Sequence, residues 1–218
     1  AYKNYKMKKI AVTQRLIIND SYFEIREALD INLCKLIRSC NLLPIPLPIN
    51  VDFIDYFKSM DIEGLILSGG NDLFSQSDND LSKSRDLVER KLIKYCLINN
   101  IPIFGICRGM QIIAEYFAST FKKVDNEVNN RFDLIANNNS IYYNHLNNLK
   151  NLNSFHDFTI DKISDEFIIS GKNKNGTIKA IEHKTKRIFG QMWHSERESK
   201  FRESEVELIK FFFNNNTK

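Results

Sequence analysis

Apolar positions follow two alternating spacings along the first half of the chain. Residues 8–14 (KKIAVTQ), 64–70 (GLILSGG) and 101–107 (IPIFGIC) are short apolar runs and predict buried strands. Between them, 27–40 (EALDINLCKLIRSC) sets Leu29, Leu33, Leu36 and Ile37 at helical spacing. Residues 51–60 (VDFIDYFKSM) predict a short helix and 86–100 (DLVERKLIKYCLINN) a strongly amphipathic one. Residues 42–48 (LLPIPLP) read as extended, because proline breaks a helix and cannot donate to a sheet ladder. They suit a sheet edge. Strands separated by helices of this length predict an α/β fold with a parallel sheet and right-handed crossovers.

Beyond residue 120 the pattern changes to short β-like runs between Asn, Gly and Lys turns. They are 131–136 (RFDLIA), 140–144 (SIYYN), 157–161 (DFTID), 166–170 (EFIIS), 177–183 (TIKAIEH) and 187–194 (RIFGQMWH). A helix over 205–213 (EVELIKFFF) closes the chain, and the Asn-rich stretch 137–153 reads as a solvated loop. The last strand must rejoin the sheet, so residues 1–218 are expected to form a single domain. Residues 1–6 (AYKNYK), before Met7, are set aside as a leader or added segment.

Composition narrows the function classes. Hydrophobic residues make up 43% and charged residues 27% of the 218, as in ordinary globular proteins. The net charge of +4 is too small and dispersed to predict nucleic acid; it tolerates an anionic small substrate without predicting one. No run approaches the ~18 apolar residues of a membrane span, and nothing resembles a signal peptide. The four cysteines (Cys34, Cys40, Cys96, Cys107) form no C-x-x-C pair and no cluster with histidine. They predict a reducing, cytoplasmic setting without a metal or cofactor.

One cysteine stands apart. Cys107 sits between Gly105 and Gly109, where a buried strand becomes an amphipathic helix. At such an elbow a side chain projects above the sheet. The glycines permit the steep turn, and the helix N-terminus favours a thiolate. A buried strand-end cysteine is the plainer alternative. A thiol nucleophile needs a base and an oxyanion hole. Of the four histidines, His194 ends an apolar run and is followed two residues later by Glu196, a carboxylate able to fix an imidazole's tautomer. A surface His-Ser-Glu loop is the alternative there. The pair Gly69–Gly70, after the strand LILS, can present a backbone N–H, or make an ordinary turn.

LILSGGND, GICRGMQ and FGQMWHSE, in this order, resemble the oxyanion loop, nucleophile elbow and His-x-Glu strand end of the class I glutamine amidotransferase superfamily. CRGMQ and LNSFH (152–156) resemble its γ-glutamyl hydrolase branch. The resemblance implies a flavodoxin-like, open and mostly parallel sheet with helices on both faces. It implies Cys107 as nucleophile, His194 as base and acid, Glu196 as orienting carboxylate, and the N–H groups of Gly70 and Arg108 as oxyanion hole. The chain departs from the pattern at Ser195, where proline is usual, at Asp157 and Phe158, and at 118–120 (AST), where a glycine pair is usual. Taken whole, it looks most like the γ-glutamyl-CDP-amidate hydrolases of capsular phosphoramidate synthesis, which release glutamate and cytidine diphosphoramidate through a γ-glutamyl thioester.

The implied partner is a small γ-glutamyl amide, nucleotide-linked in that group. Gly69, Asn71, Gln111, Arg15, Arg131 and His156 are candidates to bind it, with Asp72 at the pocket border. The alternatives are a helix-turn residue for Gln111, solvated surface arginines for Arg15 and Arg131, and a structural histidine for His156. Rival functions are a glutaminase subunit feeding ammonia to a separate synthase, a hydrolase of γ-glutamyl-polyamines or folyl-polyglutamate, and a non-catalytic binding protein.

Overall fold

The computed structural model describes residues 6–215. Residues 1–5, most of the segment set aside above, and 216–218 lie outside them. In chain order the first half comprises β1 (Lys9–Thr13), β2 (Arg15–Asn19), β3 (Glu24–Ala28), α1 (Ile31–Ser39), β4 (Leu43–Leu47), α2 (Phe53–Met60), β5 (Gly64–Leu67), α3 (Phe74–Ser77), α4 (Asp80–Ile98), β6 (Ile103–Ile106) and α5 (Arg108–Tyr116). The second half comprises β7 (Thr120–Lys123), β8 (Val128–Phe132), β9 (Ile135–Ala136), α6 (Tyr143–Leu146), β10 (Leu152–Phe155), β11 (Phe158–Lys162), β12 (Phe167–Lys172), β13 (Ile178–His183), β14 (Ile188–Gln191), the turn Ser195–Arg197 and α7 (Glu203–Asn214).

The central sheet runs β4-β1-β5-β6-β14-β13-β12-β9. From β4 to β14 all neighbours are parallel, and β13, β12 and β9 add an antiparallel flank. The proline-bearing β4 lies at the edge, as its missing N–H groups require. β5, β6, β13 and β14 are buried along their whole length, as central strands covered on both faces must be. Along β6 the side chains alternate. Gly105 packs against the α5 backbone, whereas Phe104 meets Phe212 and Phe213 of α7. Helices α5 and α7 therefore cover opposite faces. The fold is the mostly parallel, helix-covered sheet that the resemblance implied. No helix among the described residues is long and apolar enough to cross a membrane.

Three expectations need correction. Helix α1 begins at Ile31 rather than Glu27, because the Asp30 carboxylate caps it by accepting from Asn32 N at 2.8 Å. Glu27 and Ala28 belong instead to a β2–β3 hairpin that the apolar pattern did not reveal: Ile17, Ile18 and Ile25 on it are exposed. SIYYN is a turn entering α6, not a strand, and the Asn-rich stretch is not simply solvated. Tyr142, Leu146 and Leu149 within it are buried, with the Tyr142 ring 4.7 Å from Phe189. After α5, Ala118 turns the chain in the left-handed region (φ 63°), where relatives were expected to use glycine.

Candidate active site

Strands β5, β6 and β14 lie side by side and parallel, so the loops leaving their carboxyl ends are neighbours. In an open α/β sheet this is where ligands gather. Those loops carry Gly69–Gly70, Cys107 and His194.

The elbow after β6 depends on its glycines. A Cβ on Gly109 would fall 1.9 Å from Leu67 O, and one on Gly105 would fall 2.6 Å from the Gly109 carbonyl carbon. Only hydrogen at both positions lets α5 begin so close to β5 and β6. Cys107 occupies φ 53°, ψ −107°, a conformation costing about 1–3 kcal/mol for a non-glycine residue. It is held there because its N–H donates to Gln191 O of β14 at 2.7 Å and its carbonyl accepts from Gln111 N at 3.1 Å. Arg108 is the first helical residue, so its N–H has no intrahelical acceptor.

His194 is fixed by its backbone as well as its ring. The Asn153 side chain accepts from His194 N at 2.9 Å and donates to His194 O at 2.8 Å. Glu205 of α7 anchors the flanking residues by accepting from Trp193 Nε1 at 2.8 Å and from Ser195 Oγ. The serine that replaces the usual proline therefore ties the loop to a helix. The imidazole Nδ1 lies 2.6 Å from Glu196 Oε1, and the ring shares the lining of one cavity with the Cys107 thiol, near enough for each to shift the other's pKa. Gly69 makes room for it, since a Cβ there would lie 2.6 Å from His194 Cε1. Burial alone would push the thiol up, but the facing imidazole's charge and hydrogen bond, with Arg197, hold it below its ordinary value. Burial would likewise push His194 down, yet the Cys107 and Glu196 charges raise it to about 9. Each charge favours the other, which biases the pair toward thiolate and imidazolium.

The loop after β5 is set by a buried arginine. Arg85 on α4 donates from Nη2 to Ser68 O at 2.8 Å and from Nη1 to Gly69 O at 3.1 Å and to Gly70 O. Its Nε meets Glu89 at 3.0 Å; Glu89 also pairs with Arg108, which in turn pairs with Asp86. In a trans peptide the carbonyl and the following N–H point opposite ways. With Gly69 O aimed at Arg85, the Gly70 N–H points away from it, and Gly70 lines a cavity with Cys107 and His194.

That cavity measures about 230 Å³ and is also lined by Asn71, Asp72, Arg108 and Gln111, with residues 155–158 and Arg197 closing it. Among the anticipated ligands, Asn71 borders it but spends its amide on Leu16, accepting from N and donating to O, each at 3.0 Å. Gln111 borders it and donates to Phe158 O at 3.1 Å. His156 borders it, yet both ring nitrogens are committed: Nδ1 to Phe158 O at 3.0 Å, Nε2 to Lys179 Nζ at 2.8 Å. Burial, then the Lys179 charge, pushes it down to about 4, so it is a neutral structural histidine with nothing left for a ligand.

Gly69 and Arg15 line a small recess behind the His194–Glu196 pair, outside the cavity. Arg131 lies elsewhere altogether. It lines a separate 520 Å³ cavity and binds Asn151 O and Glu198, because β8 pairs with β10 and turns it that way. The sequence reading missed Arg85, Asn153 and Arg197. Asn153 lay inside the LNSFH segment and Arg197 directly follows H-x-E, so both had a signal; Arg85 had none.

Residues 10–196 match the family described as Peptidase C26. The chain is 41% identical to a gamma-glutamyl-CDP-amidate hydrolase of Campylobacter jejuni, over 94% of this chain and 96% of that one. It is 29% identical to the anthranilate synthase component 2 of Cyanophora paradoxa, over 74% and 80%. It spans only 26% of a GMP synthase from Lactobacillus johnsonii that it matches at 30% identity over 66% of its own length. Among solved structures, a glutamine amidotransferase from Thermotoga maritima superposes with a TM-score of 0.66 at 13% identity, over 94% of this chain and 84% of that one.

Proposed function

The chain belongs to the Peptidase C26 family of class I glutamine amidotransferases, and from that premise we propose that it hydrolyses a γ-glutamyl amide through a thioester on Cys107. The supporting observation is the His194 ring, held 2.6 Å from Glu196 and lining one cavity of about 230 Å³ with Cys107, where each of the two groups shifts the other's pKa. The Cys107 thiolate attacks the γ-carbonyl, and charge develops on its oxygen opposite the N–H groups of Gly70 and Arg108. Each such donor typically contributes ~3–4 kcal/mol to the transition state. The His194 imidazolium protonates the departing nitrogen. The neutral ring then draws a proton from water, which releases glutamate. Glu196 keeps the ring oriented throughout.

The nucleotide-linked substrate of the Campylobacter relative is the one we assign: γ-glutamyl-CDP-amidate, cleaved to glutamate and cytidine diphosphoramidate for capsular phosphoramidate. Four free cysteines suit a reducing, cytoplasmic setting. Similarity to anthranilate synthase component 2 supports the second reading, a glutaminase subunit. A panel of γ-glutamyl-CDP-amidate, γ-glutamylputrescine and glutamine, read by glutamate release from the isolated protein, separates them. The nucleotide amide is expected to be turned over without any partner and at least ~10²-fold more efficiently than glutamine, the ~3 kcal/mol that recognition of one added charged group supplies. Glutamine cleavage that awakens only with an added synthase would replace this reading with the second.

The pH profile follows from the pair's charges. Acylation needs thiolate and imidazolium together. A thiol held below its ordinary value favours the first, and a histidine raised to about 9 retains the second until the pH passes that value. kcat/KM should therefore be level near neutrality and fall above about pH 9. A rise through the same range would mean that the thiol ionises only there and that no imidazolium is needed, and that result would remove the ion pair from the mechanism.

A further inference from the structure

Arg197 differs from the other arginine of the cavity. Arg108 is locked to Asp86 and Glu89 beneath the elbow. Arg197 is exposed, lines the cavity, and among the described residues its guanidinium has no hydrogen bond and no carboxylate partner. It is nevertheless well placed. Its N–H donates to His194 O at 3.1 Å, so the turn that seats the imidazole seats Arg197 too. Its guanidinium carbon lies 4.7 Å from the centroid of the Phe155 ring, and that ring packs edge-on against His194 at 6.1 Å. Stacking immobilises the face of a guanidinium and leaves its N–H edge free, and that edge matches two oxygens of a phosphoryl group.

The acidic residues facing the same space, Asp72 and Asp157, would repel a phosphoryl group, as would the thiolate. An anionic substrate therefore needs an uncompensated cation at the cavity wall, and Arg197 is close enough for its charge to be felt at the Cys107 sulfur.

We propose that Arg197, braced on Phe155, selects γ-glutamyl amides whose amide nitrogen bears an anionic phosphoryl group, by binding that group through its guanidinium edge. The proposal rests on the hydrolase reading above and names the residue that sets its substrate class.

The test compares Arg197→Gln and Arg197→Lys with the parent on γ-glutamyl-CDP-amidate and on γ-glutamyl-p-nitroanilide, which keeps the glutamyl α-carboxylate but has no phosphate. A lost charge-assisted pair is worth about 10- to 100-fold. Arg197→Gln should raise KM for the nucleotide amide by that factor with little change in kcat, and Arg197→Lys should recover part of it. Losing the positive field at the sulfur affects both substrates and cancels in their ratio, so the nucleotide amide should lose at least about tenfold more than the anilide. Equal losses on both would mean that Arg197 acts on the glutamyl carboxylate or through its field at the sulfur, not on a phosphoryl group, and would overturn the proposal. Calorimetric binding of CDP to Cys107→Ala protein, with and without Arg197→Gln, does not depend on turnover. If neither amide were cleaved, the hydrolase reading would fall, while a CDP affinity weakened about tenfold would still uphold Arg197 and an unchanged affinity would sink it.

Discussion

Cys107→Ala is expected to lower glutamate release from the cleaved γ-glutamyl amide by at least ~10⁴-fold, because removing a nucleophile that acts as a unit with its base costs nearly the whole of their joint effect. The substitution removes one atom from a buried, strained position without touching the contacts that fix the elbow. Those contacts are backbone: the N–H to Gln191 O, the carbonyl to Gln111 N, and the glycine packing on Leu67 and Gly109. Alanine can occupy the same φ of 53° at similar cost, so the folded protein should persist and still bind substrate. The ring of His194 should lose the part of its raise that the thiolate supplies and keep the part that Glu196 supplies. An NMR titration of that imidazole therefore checks the electrostatic part separately from turnover. Near-parental rates in this variant would end the nucleophile assignment. A lost rate with an unchanged His194 titration would leave the nucleophile standing and remove the ion pair.

What the sequence revealed follows from which physical constraints leave a local trace. The elbow was legible because a steep strand-to-helix turn demands hydrogen at Gly105 and Gly109, and glycine is visible as a letter. His194 and Glu196 were legible as an imidazole two residues from a carboxylate, though the strand-end reason for it fails: β14 stops at Gln191, and Glu196 reaches the ring from the Ser195–Arg197 turn. The parallel part of the sheet was legible as far as apolar runs and helices alternate. The β2–β3 hairpin was not, because its isoleucines face solvent and give no buried alternation. Residues 137–153 misled for the opposite reason: abundant asparagine masked the apolar side chains Tyr142, Leu146, Leu149 and Leu152 that anchor the stretch. Arg131 and His156 show the limit for binding residues. Residue type names what a side chain can bind, but β8–β10 pairing sends Arg131 to Glu198, and burial beside Lys179 uses up His156. Neither fact has a local signature.

Arg85 carries the second large prediction. It lies in α4 just before the stretch 86–100 that reads as an amphipathic helix, because α4 begins at Asp80, and it is fully buried with its N–H groups spent on Glu89 and on three consecutive carbonyls. Burial, then Arg108, lowers its pKa to about 10, which still leaves it charged at neutral pH. Arg85→Met keeps much of the volume and deletes every one of those bonds. Breaking a buried pair from one side typically costs ~3–5 kcal/mol. Glu89 retains Arg108 as a partner, so the lower end of that range is expected, read by denaturant unfolding. The carbonyls of Ser68, Gly69 and Gly70 would then turn to find other donors, and the Gly70 N–H turns with its peptide. Misplacing one oxyanion donor typically lowers kcat by ~10²–10³, with a smaller change in KM. Arg85→Lys separates the two roles, since an ammonium restores the charge beside Glu89 but cannot hold three carbonyls in a fixed fork. It should recover more stability than kcat. Recovery of both in equal measure would show that the loop after β5 needs only a buried cation, and that the orientation of its peptides is set by something other than Arg85.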